Sequence, residues 1–189
     1  FASFFTRTGG RFNDGSNISY IEYDEPWSVS NIPSYCWYDN DIDNKNTYGA
    51  LYNWHAVETG ILCPKGWHVP SDTEWTELET YLANNGYNYD GSTGGDDIRD
   101  KIAKSMASDN GWETSSGVGE VGNTGYPEYR NKSGFTALPG GSRTNFGSFF
   151  LIGTHGHWWS STQYAEDTAW GRGLAHDYYG VGRLDPNKE

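Results

Sequence analysis

Residues 71–84, SDTEWTELETYLAN, carry a complete helix signature, and a chain that holds this helix must bring an apolar surface to one side of it. Ser71 and Glu74 make a capping box, in which the hydroxyl and the carboxylate each satisfy a free backbone N–H at the start of the helix. Trp75, Leu78 and Leu82 recur at three- and four-residue spacing, so one stripe faces a core while Glu77 and Glu79 face water. Asn84, Asn85 and Gly86 stop the helix.

Elsewhere the signals are shorter. Residues 96–107, DDIRDKIAKSMA, predict a second helix: Asp96 and Asp97 suit the N-terminal dipole, and Ile98, Ile102 and Met106 line one face. Residues 47–58, TYGALYNWHAVE, read as a strand entering a helical turn. After residue 110 glycine recurs every few positions and short aromatic or β-branched runs alternate with turns, as in 134–138, 148–153, 157–162 and 168–175. That pattern predicts short antiparallel strands with long loops. The expectation is one α+β domain over residues 1–189, with two helices in the first half and strands in the second. No internal repeat interrupts it.

Composition narrows the partners. The 13 Lys and Arg face 25 Asp and Glu, a net charge of -12 without a basic block, so nucleic acid and anionic membrane surfaces are excluded as expected partners. Only 35% of residues are hydrophobic while 16% are aromatic, which predicts a small core of large rings wrapped in loops. No apolar run approaches the roughly 18 residues of a membrane span. Cys36 and Cys63 fit one disulfide in a secreted protein, worth about 3–4 kcal/mol by loop closure. The alternatives are two buried thiols, or bonds to cysteines outside this chain.

Three groups of residues invite a chemical reading. Asp39, Asp41 and Asp43 alternate in a loop and offer hard oxygen ligands for calcium. Asn44 and Ala50 break the EF-hand pattern, so a solvated acidic loop is the competing expectation, with no cofactor. His155 and His157 flank Gly156 and would share a face of a strand, a spacing open to zinc or to packing. His55, His68 and His176 stand in aromatic surroundings as packing or hydrogen-bonding residues. The third group, Tyr164, Trp170, Arg172, His176, Tyr178, Tyr179 and Arg183, mixes flat rings with guanidinium forks and is the expected ligand-binding surface. Trp170 and Arg172 would share a strand face, while the adjacent Tyr178 and Tyr179 would point to opposite faces, with one exposed. No poised nucleophile or acid–base pair stands out, so no enzyme is expected.

The segments GWHVPSDTEW (66–75), GFTALPGGSR (134–143) and WWSST (158–162) resemble the Fibrobacter succinogenes major paralogous domain family. RFNDGSNI (11–18), YCWYDND (35–41), YGALYNWHAV (48–57) and LCPKGWHVP (62–70) extend the resemblance in order. It implies a secreted or surface protein of Bacteroidetes-type bacteria, with a fold similar to C-type-lectin-like domains and sulfatase-modifying-factor relatives. It also implies that Gly66 to Pro70 is scaffold, with Trp67 and Trp75 filling the core. The late region would display the ligand-binding residues, as in related lectin-like variable proteins. Lectin motifs that hold sugar through calcium are missing, and the cysteines lie too early for an oxidase site. Family-typical first and last strands are not matched, so the expectation is either a piece of a longer protein or partner chains that supply those strands. The reading is a non-enzymatic extracellular module for a glycan or protein ligand at the cell surface. The alternatives are a structural subunit of a surface assembly and an oxidase-like enzyme.

Overall fold

The computed structural model describes residues 2–4 and 10–188. In chain order the elements are β1 (Ala2–Phe4), β2 (Ser19–Tyr20), α1 (Asp24–Ser28), β3 (Ser34–Cys36), α2 (Asn44–Tyr48), β4 (Ala50–Tyr52), α3 (Trp54–Glu58), α4 (Asp72–Asn84), α5 (Ala103–Met106), β5 (Gly140–Arg143), β6 (Phe149–Ile152), β7 (His155–Gln163), β8 (Ala169–Ala175) and β9 (Gly182–Leu184). The architecture is α+β: short helices and two sheets, ordered β1-β4-β3-β2 and β6-β5-β7-β8-β9. Both sheets are mixed, because β2 runs parallel to β3 and β5 parallel to β7. The expectation of purely antiparallel strands is corrected there, and strands of two or three residues in the first half are too short to show a period.

α4 begins as expected, with Ser71 and Glu74 closing a complete capping box. Its first amide, that of Asp72, donates to Thr162 Oγ1 at the end of β7 (3.0 Å), which fixes the helix to the sheet. Trp75 and Leu82 are buried, but so is Glu79, contrary to expectation. Four residues from Trp75 and three from Leu82, Glu79 lies on the apolar stripe by phase, and a buried arginine makes that position tolerable. The second helix is also shorter than expected. Asp97 accepts from the Arg99 amide (3.0 Å), and the carbonyls of Arg99 and Lys101 accept from Val181 and Tyr89, so residues 97–101 form turns and only α5 is helical. Residues 47–58 behave as read: β4 leads into α3, capped by Asn53. Residues 134–138 contribute only a bridge, Ala137 to Ala107.

Indole rings join the layers. Trp159 donates to the Tyr52 carbonyl (2.9 Å), Trp54 to Ser160 (2.9 Å) and Trp75 to Trp159 (3.3 Å). Each ring thus buries a large apolar area while its N–H is satisfied by the neighbouring chain. Gly141 admits a close approach in the second sheet: at φ 67° a Cβ there would lie 2.6 Å from the Phe150 carbonyl oxygen and the Tyr38 ring. The expected disulfide is not formed. Cys36 packs with Tyr38 and Leu51, whereas Cys63 belongs to the cluster around Trp159, and both are buried free thiols. Burial pushes the Cys36 thiol up to about 11. Among the described residues no helix is long and apolar enough to cross a membrane.

Candidate functional site

The seven residues expected to form one surface fall in two places. Four of them meet at the first turn of α4. Arg172 is inside the protein, fully buried, and its Nε donates to Glu79 Oε1 at 2.5 Å while Nη1 donates to Asp72 Oδ1 at 2.8 Å. It presents no surface to a ligand, which corrects its assignment to an exposed patch. Burial pushes the Glu79 carboxyl up against the pull of Arg172. Burial also opposes charge on Asp72, but hydrogen bonds from Arg183 and Arg172 outweigh it and hold that carboxyl below its usual value. Arg183, which pairs with Arg172 across β8 and β9, donates to both Asp72 oxygens at 3.0 and 2.7 Å. Its guanidinium lies 3.6 Å from the centre of the Trp170 ring, and the Tyr164 ring leans on Trp170 at 4.3 Å. Tyr164, Trp170 and Arg183 therefore form a stack at the surface, held by Asp72.

The other three, His176, Tyr178 and Tyr179, lie between β8 and β9. Tyr178 and Tyr179 do not point to opposite faces: their rings stack at 5.0 Å, and both are about two-fifths exposed. The Tyr178 carbonyl accepts from the Val121 amide and the Tyr179 carbonyl from the Ala103 amide, so the turned backbone faces inward and both rings outward. Tyr179 lies 6.3 Å from Tyr89, and Tyr89 lies 5.3 Å from Tyr126, which is also exposed. Four tyrosines from three loop regions thus make one stripe. Tyr89 and Tyr126 give no sign of this in the sequence, because only the fold brings those loops to Tyr179.

The histidines and the acidic-loop aspartates make contacts of their own. His155 stacks on His157 at 5.9 Å and meets His176 edge-on at 6.5 Å, and burial pushes His157 down to about 4. His55 pairs with Glu58 and His68 with Glu74, each at 2.8 Å. Asp39, Asp41 and Asp43 lie in the acidic loop, where Asp41 accepts from the Asp43 amide at 2.9 Å. Among the described residues no group of three or more His, Cys, Asp or Glu is arranged to hold a metal ion.

Within the turn Gly66 to Pro70, Trp67 does not fill the core as expected, although Val69 does. Trp67 is 75% exposed, whereas Trp75 is buried as expected. With His68, Glu74, Leu78 and Phe135 it borders a groove of about 300 Å³ beside α4. The Ser71 amide, His68 and the Ser71 hydroxyl draw the Glu74 carboxyl down to about 2, so that rim is anionic.

The model for the Fibrobacter succinogenes major domain matches residues 7–185. The chain belongs to this family. No curated protein and no solved structure matches it. In this member of the Fibrobacter succinogenes major domain family, the matching segments supply Trp75, Trp158, Trp159 and Arg143 to the interior. Of the aromatic surfaces, the tyrosine stripe joins loops from the most distant parts of the sequence.

Proposed function

We propose that this chain is a non-enzymatic, extracellular module of C-type-lectin-like fold that binds a glycan. The observation that carries the proposal is the stripe Tyr126, Tyr89, Tyr179 and Tyr178, three of whose rings are well exposed. The apolar C–H face of a sugar ring stacks on a flat aromatic face, and a tyrosine adds a hydroxyl at low conformational cost. The mixed α+β architecture and the family resemblance support the lectin-like reading, and the resemblance supports placement at a bacterial surface. Tyr178→Ala and Tyr179→Ala should each weaken glycan binding at least tenfold with unchanged melting temperature, since aromatic hot spots cost about 2 kcal/mol or more. A glycan array followed by titration of both variants tests this. A wild-type chain that binds no glycan, or variants that bind as well as the parent, would overturn it.

A second reading, a structural subunit of a surface assembly, is favoured by β6. This strand is the edge of its sheet and exposes Phe150 and Leu151, with Phe146 exposed in the turn before it. Unpaired edges with apolar side chains are templates for another chain. A native mass above that of one chain supports this reading, and a strict monomer opposes it.

A further inference from the structure

We propose that the pocket formed by Lys104 and Arg130, beside the tyrosine stripe, binds the carboxylate of an acidic sugar. This deepens, and rests on, the reading of the stripe as a glycan surface. The pocket has a volume of about 300 Å³, and Lys104, Arg130, Asn123, Thr124 and Asp109 line it. Lys104 is only 1% exposed, and its Nζ donates to the Asn123 carbonyl at 2.5 Å. Arg130 donates to the Ser108 carbonyl at 3.4 Å and to the Val121 carbonyl. Among the described residues, neither cation makes an ion pair.

Two cations facing one pocket, one fully buried, with only neutral carbonyls as hydrogen-bond partners, are unusual in a chain of net charge -12. Buried charges are ordinarily paired, because taking them from water costs far more than a carbonyl returns. The electrostatics agree: burial lowers the pKa of both groups, Lys104 to about 8 with the Arg130 charge lowering it further, while the Asp109 charge offsets only part of the burial of Arg130. An anion entering the pocket would relieve both. Asn123 Oδ1 accepts from the Gly125 amide at 2.8 Å, which leaves its amide N–H groups to donate.

The charge count selects a monoanion, which the carboxylate of a uronic acid supplies. Asp109 is exposed on the same pocket, so two cations and one carboxylate leave a net charge that a single negative charge balances. A dianionic phosphate would be repelled by Asp109, whereas sugar hydroxyls next to a carboxylate would donate to it. The pocket also adjoins the stripe. Tyr126, its first ring, stands in the chain between Gly125 and Pro127, both of which line the pocket. A uronic acid residue on the stripe would thus have its carboxylate next to the two cations.

The test titrates the full chain with methyl glucuronide, methyl glucoside and sulfate, and with matched neutral and uronate-containing oligosaccharides, following amide shifts by NMR. The uronate forms should bind at least tenfold tighter than the neutral ones, moving the amides of Asn123 and Gly125. Lys104→Met should bring the uronide down to the level of the glucoside, and Arg130→Gln provides the same test should the first variant not fold. Equal affinity for uronide and glucoside in the wild type, a preference that survives in the variants, or sulfate that binds tighter than the uronide would each overturn the proposal. Binding of neutral glycans without acid preference sinks this inference and leaves the glycan module standing. If no oligosaccharide binds, the module reading fails. Methyl glucuronide then decides the pocket alone: shifts at Asn123 and Gly125 support it, and their absence overturns it.

Discussion

At the contact between α4 and β8, Arg172 meets Glu79 at 2.5 Å and Asp72 at 2.8 Å, whereas at the Lys104–Arg130 pocket the partners are main-chain carbonyls. Both places bury positive charge in an acidic protein. Where carboxylates are supplied by the fold, the cation joins a helix to a sheet and is part of the scaffold. Where they are not, the positive charge is left for something outside the fold to answer. The difference separates two kinds of basic residue that look alike in sequence.

The largest way to break this comparison is at Arg172. Arg172→Ala should destabilise the protein by about 3–5 kcal/mol, because removing one partner of a buried pair leaves Glu79 charged and unpaired. Replacing both partners, with Arg172→Met and Glu79→Leu together, should recover much of that loss, because well-packed apolar groups can substitute for a buried ion pair. Urea denaturation of the single and double variants measures both. A single variant within about 1 kcal/mol of the parent would mean that the ion pair does not hold α4 to the sheet.

α4 is legible in the sequence because its cap and its period agree, and residues 47–58 because a strand and a capped turn follow each other without interruption. Glu79 is hard to place from sequence because its charge argues for water while its phase puts it on the apolar stripe. Arg172 looks like a surface residue because its partners lie 93 and 100 positions away, beyond the reach of any local pattern. Lys104 carries no local sign of burial either; only the packing of α5 encloses it. Trp67 shows the opposite failure: an aromatic residue in a chain poor in aliphatic groups suggests the core, and the turn points it at solvent. That one of Tyr178 and Tyr179 reaches solvent is legible; that both do, and that Tyr89 and Tyr126 join them, depends on how the loops turn and close.

A smaller effect should appear in the pH dependence of stability. The folded-state pKa of Lys104 is lowered to about 8 from its ordinary 10.5. Below pH 8 the folded and unfolded chains both carry the proton, and the cost of the buried ammonium is fully present. Between pH 8 and 10.5 the folded chain gives up the proton while the unfolded chain keeps it, so the unfolded state binds more protons and stability rises with pH. The gain should be about 2 kcal/mol or less, since a tenfold change in proton affinity corresponds to about 1.4 kcal/mol and relaxation around the ammonium reduces the total. Other groups titrate in this range, so the quantity to measure is the stability of the parent minus that of Lys104→Met at each pH. A flat difference from pH 8 to 10.5 would mean that the Lys104 ammonium is no worse off folded than unfolded.

The smallest expected effect sharpens the comparison most. Lys104→Met at pH 7 should change stability by about 1 kcal/mol or less, in either direction, in contrast to Arg172→Ala. Two effects oppose each other. Methionine fills a similar volume and removes a charge that no carboxylate answers, which favours the folded state. It also takes the donor from the Asn123 carbonyl, and an acceptor left unsatisfied costs about 1–3 kcal/mol when it is out of reach of water. Asn123 lines the pocket and its bond to Lys104 is only part-buried, so the penalty falls toward the low end and the two nearly cancel. Denaturation at pH 7, with near-ultraviolet circular dichroism to check the fold, decides the matter. A loss of about 3 kcal/mol or more, the size expected for a broken buried pair, would mean that Lys104 belongs to the scaffold as Arg172 does, and the distinction between the two buried charges would collapse.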